Sequence, residues 1–439
     1  MALVVGLYAI ASAAPQHGQA MNVAMGCVSL LAGTLTFIRH GGGRITPLGL
    51  FSYACALIIG YGGIRVALDP YFLNIPETQR YLSSAIAISA FSQVAIAQFG
   101  GRHAASIPAR TQIRARDARW AILVGAGVLI LLYLAGPGLT SIWKFREGMA
   151  FSAALLVVVG VVFLPRDVPL PVVSALVASP LVVYVVFFHN GTGRLRIVAL
   201  ACAILLLVTS RFPRRWMKWG LVAAAPLALW WMSVSRLRLE ESLHPGASSG
   251  EGLSSMFASV GVFAQVIYAQ EQGLTLGFGT SFLTPLFVVI PETWKPDWMP
   301  EAIGYELVKI VAPELFGTGH STVASVFGEW WWNFAAIGPI VAIPILGLLL
   351  TWLDRRFAAA LIAAEASRGG VLRLVLWAAA AGSLGDLVWG GVHIWIVRMF
   401  ARVTLLLILW PFSRTEPESA GSHSRGGLIG VQEDYSELH

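Results

Sequence analysis

Charged residues are scarce in this chain. Asp, Glu, Lys and Arg together make up 12% of its 439 residues, and 56% of the residues are hydrophobic. Soluble domains usually carry about twice that share of charge. Apolar runs of about 20 residues, long enough to cross a bilayer as a helix, recur along the chain. Because lipid offers the backbone no hydrogen-bond partners, such runs must be helical. The composition therefore predicts an all-α integral membrane protein.

Cysteine is equally scarce, and the patterns of common metal and nucleotide sites are absent. The three cysteines, Cys27, Cys55 and Cys202, lie inside apolar segments, where a thiol is typically a small buried hydrophobe. The sequence contains no Cys-x-x-Cys or His-Glu-x-x-His pattern and no Gly-rich P-loop. These absences argue against a metal or nucleotide cofactor, and we predict none.

The hydropathy pattern predicts about twelve transmembrane helices. We place them at residues 2–15, 20–38, 47–67, 82–98, 120–137, 149–164, 171–188, 197–210, 218–235, 333–352, 372–388 and 393–412. The first of them begins without a basic region or a cleavage site, so we interpret it as a membrane helix rather than a signal peptide. Residues 1–412 then form one polytopic domain. Residues 413–439 are rich in Ser, Gly and Glu and are predicted to be a disordered cytoplasmic tail.

Basic residues are concentrated in loops that this arrangement places on one side of the membrane. The loop 99–119 contains five arginines and one acid, and the loops with Arg44, Arg214 and Arg356 fall on the same side. The positive-inside rule makes this side cytoplasmic. The net charge of +7 thus follows from topology and does not indicate nucleic-acid binding.

A long segment, residues 236–332, falls on the opposite, extracytoplasmic side. It is net acidic over most of its length. Within it, residues 256–269 predict an amphipathic helix, and residues 274–290 predict a second helix or a re-entrant piece. If both span the membrane, the number of spans becomes fourteen and the sidedness of the other loops is unchanged.

Several arginines lie against the positive-inside bias and need an explanation. Arg194 and Arg196 occur in HNGTGRLR, in a turn predicted to be outside. A guanidinium binds phosphate oxygens through two parallel hydrogen bonds. The alternative is a helix end that snorkels to the interface. The same two interpretations, phosphate binding and snorkelling, apply to Arg236, Arg238 and Arg65.

The segment 319–338, GHSTVASVFGEWWWNFAAIG, contains two candidates for a catalytic base. Glu329 lies at the start of an apolar span, where a carboxylate is costly and partial burial raises its pKa. The alternative is an acid favoured by a helix N-terminus. His320 is the rival base. Trp330 and the two tryptophans after it suit an interfacial belt, although aromatic faces also stack on sugar rings.

The last two spans carry charges at membrane depth. Asp386 and Arg398 are predicted to form a structural ion pair across the turn near residues 389–393, because charges inside a membrane usually pair or line a cavity. His393 could line the same cavity.

The order of these motifs resembles the O-antigen polymerase, or oligosaccharide repeat-unit polymerase, family, which is related to O-antigen ligase. The motifs are Gly-Arg in an outer turn, IPETWKP at 290–296 and the segment 319–338. The matching positions include Pro291, Lys295, Ser321, Glu329 and Asn333. Glu292 departs from the pattern, since the family often has Arg there.

The resemblance implies an all-helical glycosyltransferase of the type C kind, metal-independent and inverting. Such an enzyme polymerises repeat units carried on polyprenyl pyrophosphate at the outer face of the cytoplasmic membrane. The residues assigned to the pyrophosphate are Arg194, Arg196, Arg236, Arg238, Arg65 and Lys295. Those assigned to the proton are Glu329 and His320, and those assigned to the glycan are Trp330, Asn333 and Ser321.

The partners that the resemblance implies are lipid-linked donor and acceptor glycans, the bilayer and a regulator of chain length. Two other functions remain open. A ligase would transfer a finished glycan to a lipid or cell-wall acceptor with the same chemistry. A transporter of lipid-linked glycans would use the intramembrane charges as a substrate path, but the chain has none of the internal repeats that transporters often carry.

Overall fold

The structure, a computed structural model, describes most of the chain from residue 19 to residue 413. The described residues are 19–68, 78–101, 105, 112–136, 140–164, 169–189, 195–225, 227, 251–287, 290, 294, 296, 299–318 and 321–413. Within these ranges the chain is helical and contains no strand. The prediction of an all-α fold is confirmed for this part of the chain.

Fourteen α-helices are numbered here in chain order. The first seven are α1 (Gln19–Arg39), α2 (Pro47–Leu68, with a π-helical turn at Ala56–Tyr61), α3 (Gln79–Gly100), α4 (Ala115–Leu134), α5 (Thr140–Val162), α6 (Leu170–Phe187) and α7 (Leu195–Arg211). The others are α8 (Glu251–Glu271), α9 (Thr280–Leu283), α10 (Ile303–Val311), α11 (Ser325–Phe334), α12 (Ile337–Ala366), α13 (Arg368–Gly382) and α14 (Leu384–Leu409). Residues 215–225 are also helical, and short 3-10 turns follow α9, α10 and α14.

Seven of the described helices are long and apolar enough to cross a membrane. By length and composition they are Gln19–Arg39, Pro47–Leu68, Arg80–Gly100, Ala115–Leu134, Phe145–Val162, Ile337–Ala366 and Leu384–Leu409, the last of which is broken at Gly391. A shorter apolar helix, Pro171–Phe187, coincides with another predicted span. The protein is therefore a multi-pass membrane protein. The number of twelve spans stays a prediction, and the predicted span 2–15 lies outside the described residues.

The basic loops meet at one end of the helix bundle. Arg44 pairs with Asp354 of α12 at 3.3 Å, and the same carboxylate accepts a hydrogen bond from the backbone N–H of Ala105 at 2.6 Å. Lys218 donates to the backbone carbonyl of His40 at 2.6 Å. These contacts join loops that are far apart in sequence, as the predicted topology requires.

The segment that precedes α12 lies toward the opposite end of the bundle. Helix α12 begins at Ile337 and reaches Asp354 after 17 residues, which is about 25 Å at 1.5 Å per residue. Helix α11, directly before α12, is therefore far from the basic end.

Helix α8 differs from its prediction. The sequence predicts an amphipathic helix over 256–269, but residues 259–267 of α8 are buried on every side. The helix packs against α2, α3 and α11. Its small and apolar residues fill the bundle, and its polar side chains, Ser259 and Gln265, are buried as well. Part of the long segment 236–332 is thus bundle core rather than loop.

Candidate functional site

The short helix α11 is held between strained turns. Ser325 at its start has φ 63° and Ala335 just after its end has φ 48°. Phe278, whose backbone N–H donates to the Asn333 carbonyl at 3.1 Å, has φ 45°. These are all the non-glycine residues with positive φ in the described part of the chain. Such backbone is costly and gathers at functional sites, so α11 is the first place to search for one.

Glu329 is the charged residue of α11, and its carboxylate is buried, with 2% of the residue exposed. It accepts hydrogen bonds from the backbone N–H groups of Val392 and His393, the latter at 3.2 Å, and from the Ser281 hydroxyl. Glu329 precedes the apolar span of α12, as the sequence predicts. The helix break at Ala335, however, places it on a separate short helix.

The two backbone donors come from a break in helix α14 at Gly391. Gly391 has φ 80° and ψ −173°, a conformation that is essentially restricted to glycine. A Cβ at this position would lie 2.9 Å from the carboxyl carbon of Glu329. The break frees the N–H groups that begin the second part of α14, and such groups bind a negative charge.

Ion pairs show that the chain reverses at this break. Asp386 precedes Gly391, and in a straight helix its Cα would lie about 18 Å from that of Arg398. The Asp386 carboxylate instead pairs directly with Arg398 and with Arg402, the latter at 3.0 Å. Helix α14 is therefore a hairpin with arms 384–390 and 392–409. The predicted turn and the predicted Asp386–Arg398 pair are both confirmed.

A hydrogen-bonded network surrounds the Glu329 carboxylate. The Asn333 amide donates to the Ser281 hydroxyl at 2.7 Å and to the Glu329 backbone carbonyl at 2.8 Å. The His393 ring bonds to the Thr284 hydroxyl at 2.8 Å. The network ties α11 and the second arm of α14 to the segment around α9.

Burial raises the pKa of Glu329 to about 7, against the opposing effect of the Ser281, Val392 and His393 donors. Desolvation disfavours the charged carboxylate, whereas the three hydrogen bonds favour it. A carboxyl with a pKa near neutrality can take up and release a proton at working pH, as a general base must.

A second charged cluster includes residues of both arms of the α14 hairpin. Arg196 of α7 pairs with Glu147 of α5, which also accepts a hydrogen bond from the Tyr184 hydroxyl at 3.2 Å. Arg398 and Arg402 are close enough to act electrostatically on Arg196. Three arginines thus lie near two acids, Glu147 and Asp386, and of these five residues Arg402 and Asp386 are buried while the others are partly exposed.

Many of the predicted site residues lie outside the described residues. They are Arg194, Arg236, Arg238, Lys295 and His320. The rivalry between Glu329 and His320 for the proton therefore stays a prediction.

Two other predicted residues lie apart from the Glu329 network. Arg65 is half-buried on the last turn of α2, which packs against α8. Ser321 is exposed beside Gly304 of α10.

Two of the three predicted glycan contacts, Trp330 and Asn333, are buried. Asn333 is fully buried, and its side chain orders the network described above. Trp330 is 7% exposed and packs against Phe282 with tilted rings whose centroids are 4.8 Å apart. Trp331 packs edge-on against Phe263, with ring centroids 5.9 Å apart. The interpretation as an interfacial belt is wrong, because these rings form the core around α11.

The sequence did not single out Ser281, Thr284, Glu147 or the Gly391 backbone. The first two hydroxyls lie in a run that looks only apolar. The signal available for Gly391 was the Gly-Gly pair in VWGGVHI, since such pairs mark turns.

Among the described residues, no group of His, Cys, Asp and Glu side chains could hold a metal ion. Comparison with known proteins identifies no relative: no family model, no curated protein and no solved structure matches the chain. The geometry of the site and the resemblance of its motifs are therefore what supports a function.

Proposed function

We propose that this protein is a membrane glycosyltransferase that polymerises oligosaccharide units carried on polyprenyl pyrophosphate. The observation that carries the proposal is the α14 hairpin. Its reversal fixes a buried carboxylate, Glu329, and its second arm carries Arg398 about six residues, or 9 Å, further along the helix axis. A base and a cationic cluster on one rigid element suit the transfer of a sugar from a pyrophosphate.

In the proposed reaction Glu329 accepts the proton of the acceptor hydroxyl. The acceptor oxygen attacks the anomeric carbon of the donor, and the bond from that carbon to the pyrophosphate oxygen breaks with inversion. The pyrophosphate leaves with the electron pair. A carboxylate has about four acceptor positions, and Glu329 uses three of them. The acceptor hydroxyl can occupy the fourth or replace the hydroxyl of Ser281.

The second charged cluster neutralises the leaving group. The cluster contains three positive charges and two negative ones. The positive charges belong to Arg196, Arg398 and Arg402, and the negative charges to Glu147 and Asp386. Stabilisation of developing charge is commonly the largest catalytic contribution. Arg194, predicted from the outer turn before α7, would add to this cluster. In this proposal the site faces the extracytoplasmic side of the cytoplasmic membrane.

The test is an assay with purified protein in liposomes and a defined polyprenyl-pyrophosphate oligosaccharide, with and without a chelator. We expect longer glycans on the carrier in both conditions, and loss of this product in Glu329→Gln. Elongation by Glu329→Gln at the wild-type rate would show that Glu329 is structural. A ligase would leave the carrier-linked glycan at its original length and transfer it to an added lipid acceptor.

The broken helix α14 also favours a second candidate, because discontinuous helices form the substrate sites of many transporters. Such a transporter would move the lipid-linked glycan across the membrane. The same liposomes separate the two functions, since movement of the labelled substrate without a new glycosidic bond would support transport.

A further inference from the structure

Residues 277–287, here called the lip, bury two of their three hydroxyl side chains and expose three large apolar ones, while Thr280 is exposed and Pro285 is buried. Ser281 and Thr284 are each 2% exposed and face the Glu329 network. Phe278, Leu283 and Leu286 are 75%, 54% and 63% exposed. A segment that faces water buries its apolar side chains, so this pattern is the reverse of the soluble one.

Backbone N–H groups of the lip are hydrogen-bonded within the protein, as an apolar surrounding requires. The N–H groups of Gly277 and Phe278 donate to the carbonyls of Trp332 and Asn333 at 3.0 and 3.1 Å. The N–H of Gly279 donates to the Asn333 side chain at 2.8 Å. Irregular backbone at membrane depth is tolerated only where protein satisfies its polar groups, and here α11 does so.

Charge and neighbouring surfaces agree with this environment. No Asp, Glu, Lys or Arg occurs between Glu271 and Glu292. Phe282 of the lip packs on Phe334 with ring centroids 6.1 Å apart, and α12 starts three residues after Phe334. The first turns of α12 expose a stripe of apolar side chains: Ile337, Val341, Ile345 and Leu348. The exposed face of the lip thus lies beside a helix that is apolar enough to span the bilayer.

We propose that the lip is inserted among the acyl chains of the bilayer and forms the lateral wall of the Glu329 site. One face of the lip meets lipid and the other meets the catalytic network, so a ligand reaches Glu329 sideways from the membrane. The ligand class is therefore a polar headgroup on a long hydrocarbon tail. This inference deepens the proposed function, and it depends on that function only for the chemistry of the headgroup.

The test measures where the lip lies in proteoliposomes. Cysteines are introduced singly as Leu283→Cys and Leu286→Cys after Cys27, Cys55 and Cys202 have been replaced by Ala, and each carries a nitroxide label. Collision with oxygen, which concentrates in hydrocarbon, is compared with collision with a water-soluble nickel chelate. Leu348→Cys in α12 is the matched lipid-facing control, and Thr318→Cys, exposed after α10, is the water-facing control.

We expect both lip labels to behave as the label at Leu348 does, with oxygen collisions dominant. Dominant nickel collisions, as at Thr318, would overturn the inference. Protection from both reagents would also overturn it, because it would mean that protein covers the lip.

A second measurement uses the unaltered chain and does not depend on the cysteine replacements. Liposomes that contain a lipid with a photoactivatable diazirine in its acyl chain are irradiated, and the adducts are located by mass spectrometry. We expect adducts in both 277–287 and 337–348. Adducts in 337–348 alone would contradict the inference. Neither measurement involves catalysis, so failure of the proposed reaction and failure of the lip are separate outcomes.

Discussion

The pKa of Glu329 is raised by burial and lowered by hydrogen bonds, so the protonation of this carboxyl can be tested directly. Burial brings the pKa to about 7, and the bonds from Val392 and His393 keep it from going higher. A protonated carboxyl cannot accept the proton of an acceptor hydroxyl. We therefore expect kcat/KM to fall about tenfold per pH unit below pH 7 and to level off above it.

The control for this profile is a second carboxylate on the same long segment. Glu306→Gln changes a partly exposed acid of α10 that pairs with Lys309 at 2.9 Å, and it should keep both the rate and the pH profile of the wild type. Glu329→Gln should lose most of its activity and show no inflection near pH 7. An unchanged inflection in Glu329→Gln would assign it to another group, of which His320 is the first to examine.

At the residue scale, the sequence identified the acid but not its partners. Glu329 was recognisable as a carboxylate beside an apolar run. Its donors, Val392 and His393, lie more than sixty residues later, and only the break in α14 exposes their N–H groups. The tryptophans were recognised in the sequence, but their environment was predicted wrongly. An aromatic ring at an interface and one in a core have the same local sequence, and the partner rings decide between them.

The α14 hairpin depends on one glycine at its reversal. In Gly391→Ala the Cβ would meet the Glu329 carboxyl, and the backbone conformation would cost about 1–3 kcal/mol for a residue other than glycine. We expect a lower melting temperature in detergent and the loss of most activity. The measurement is thermal unfolding together with the liposome assay.

Gly385→Ala is the matched control within the same hairpin. Gly385 lies on the first arm, and a Cβ there would meet no atom within 4 Å. Alanine favours a helix over glycine by up to about 1 kcal/mol, so this variant should be as stable as the wild type or slightly more stable. Equal melting temperatures for Gly391→Ala and Gly385→Ala would mean that the reversal does not require glycine.

The two arms are also joined by charge. Asp386 is fully buried and is the shared partner of Arg398 and Arg402. Asp386→Asn would leave two buried guanidinium groups without that charge, and breaking a buried pair in this way typically costs about 3–5 kcal/mol. We expect a large loss of stability in detergent, measured as the free energy of unfolding.

The comparison for Asp386→Asn is the partly exposed pair on α10, where Glu306→Gln should cost less than about 1 kcal/mol. Replacing Arg398 by Gln in the Asp386→Asn background should restore part of the loss, because one unpaired charge is removed. Equal stability of Asp386→Asn and Glu306→Gln would show that the pair does not hold the arms together.

At the element scale, the hydropathy pattern predicted much of the architecture. Runs of apolar residues gave most of the observed long helices, and the gap between the last two runs gave the turn in α14. Helix α8 could not be placed in this way. Its composition fits both a surface helix and an interior one, and its burial follows from the packing of α2, α3 and α11 around it.

At the scale of the whole molecule, the basic loops and the Glu329 site lie toward opposite ends of the bundle. The contacts of Arg44 with Asp354 and of Lys218 with His40 mark the basic end. Helix α12 runs from this end to α11 over about 25 Å, close to the thickness of the hydrocarbon core. The two ends of the bundle therefore differ in charge and in chemistry. The positive-inside rule assigns the basic end to the cytoplasm and the Glu329 site to the opposite face of the membrane.

This direction gives the last prediction, which concerns two exposed positions. Arg116→Cys, near the start of α4, lies at the basic end, and Thr318→Cys lies after α10 on the side of the candidate site. In intact cells with a permeable outer layer, a membrane-impermeant thiol reagent should label only Thr318→Cys. In inverted membrane vesicles it should label only Arg116→Cys, because loops rich in Arg and Lys are retained in the cytoplasm. Labelling of both positions from one side would contradict the span assignment between them. Labelling in the reverse order would place Glu329 at the cytoplasmic face, where the proposed extracytoplasmic polymerisation could not occur.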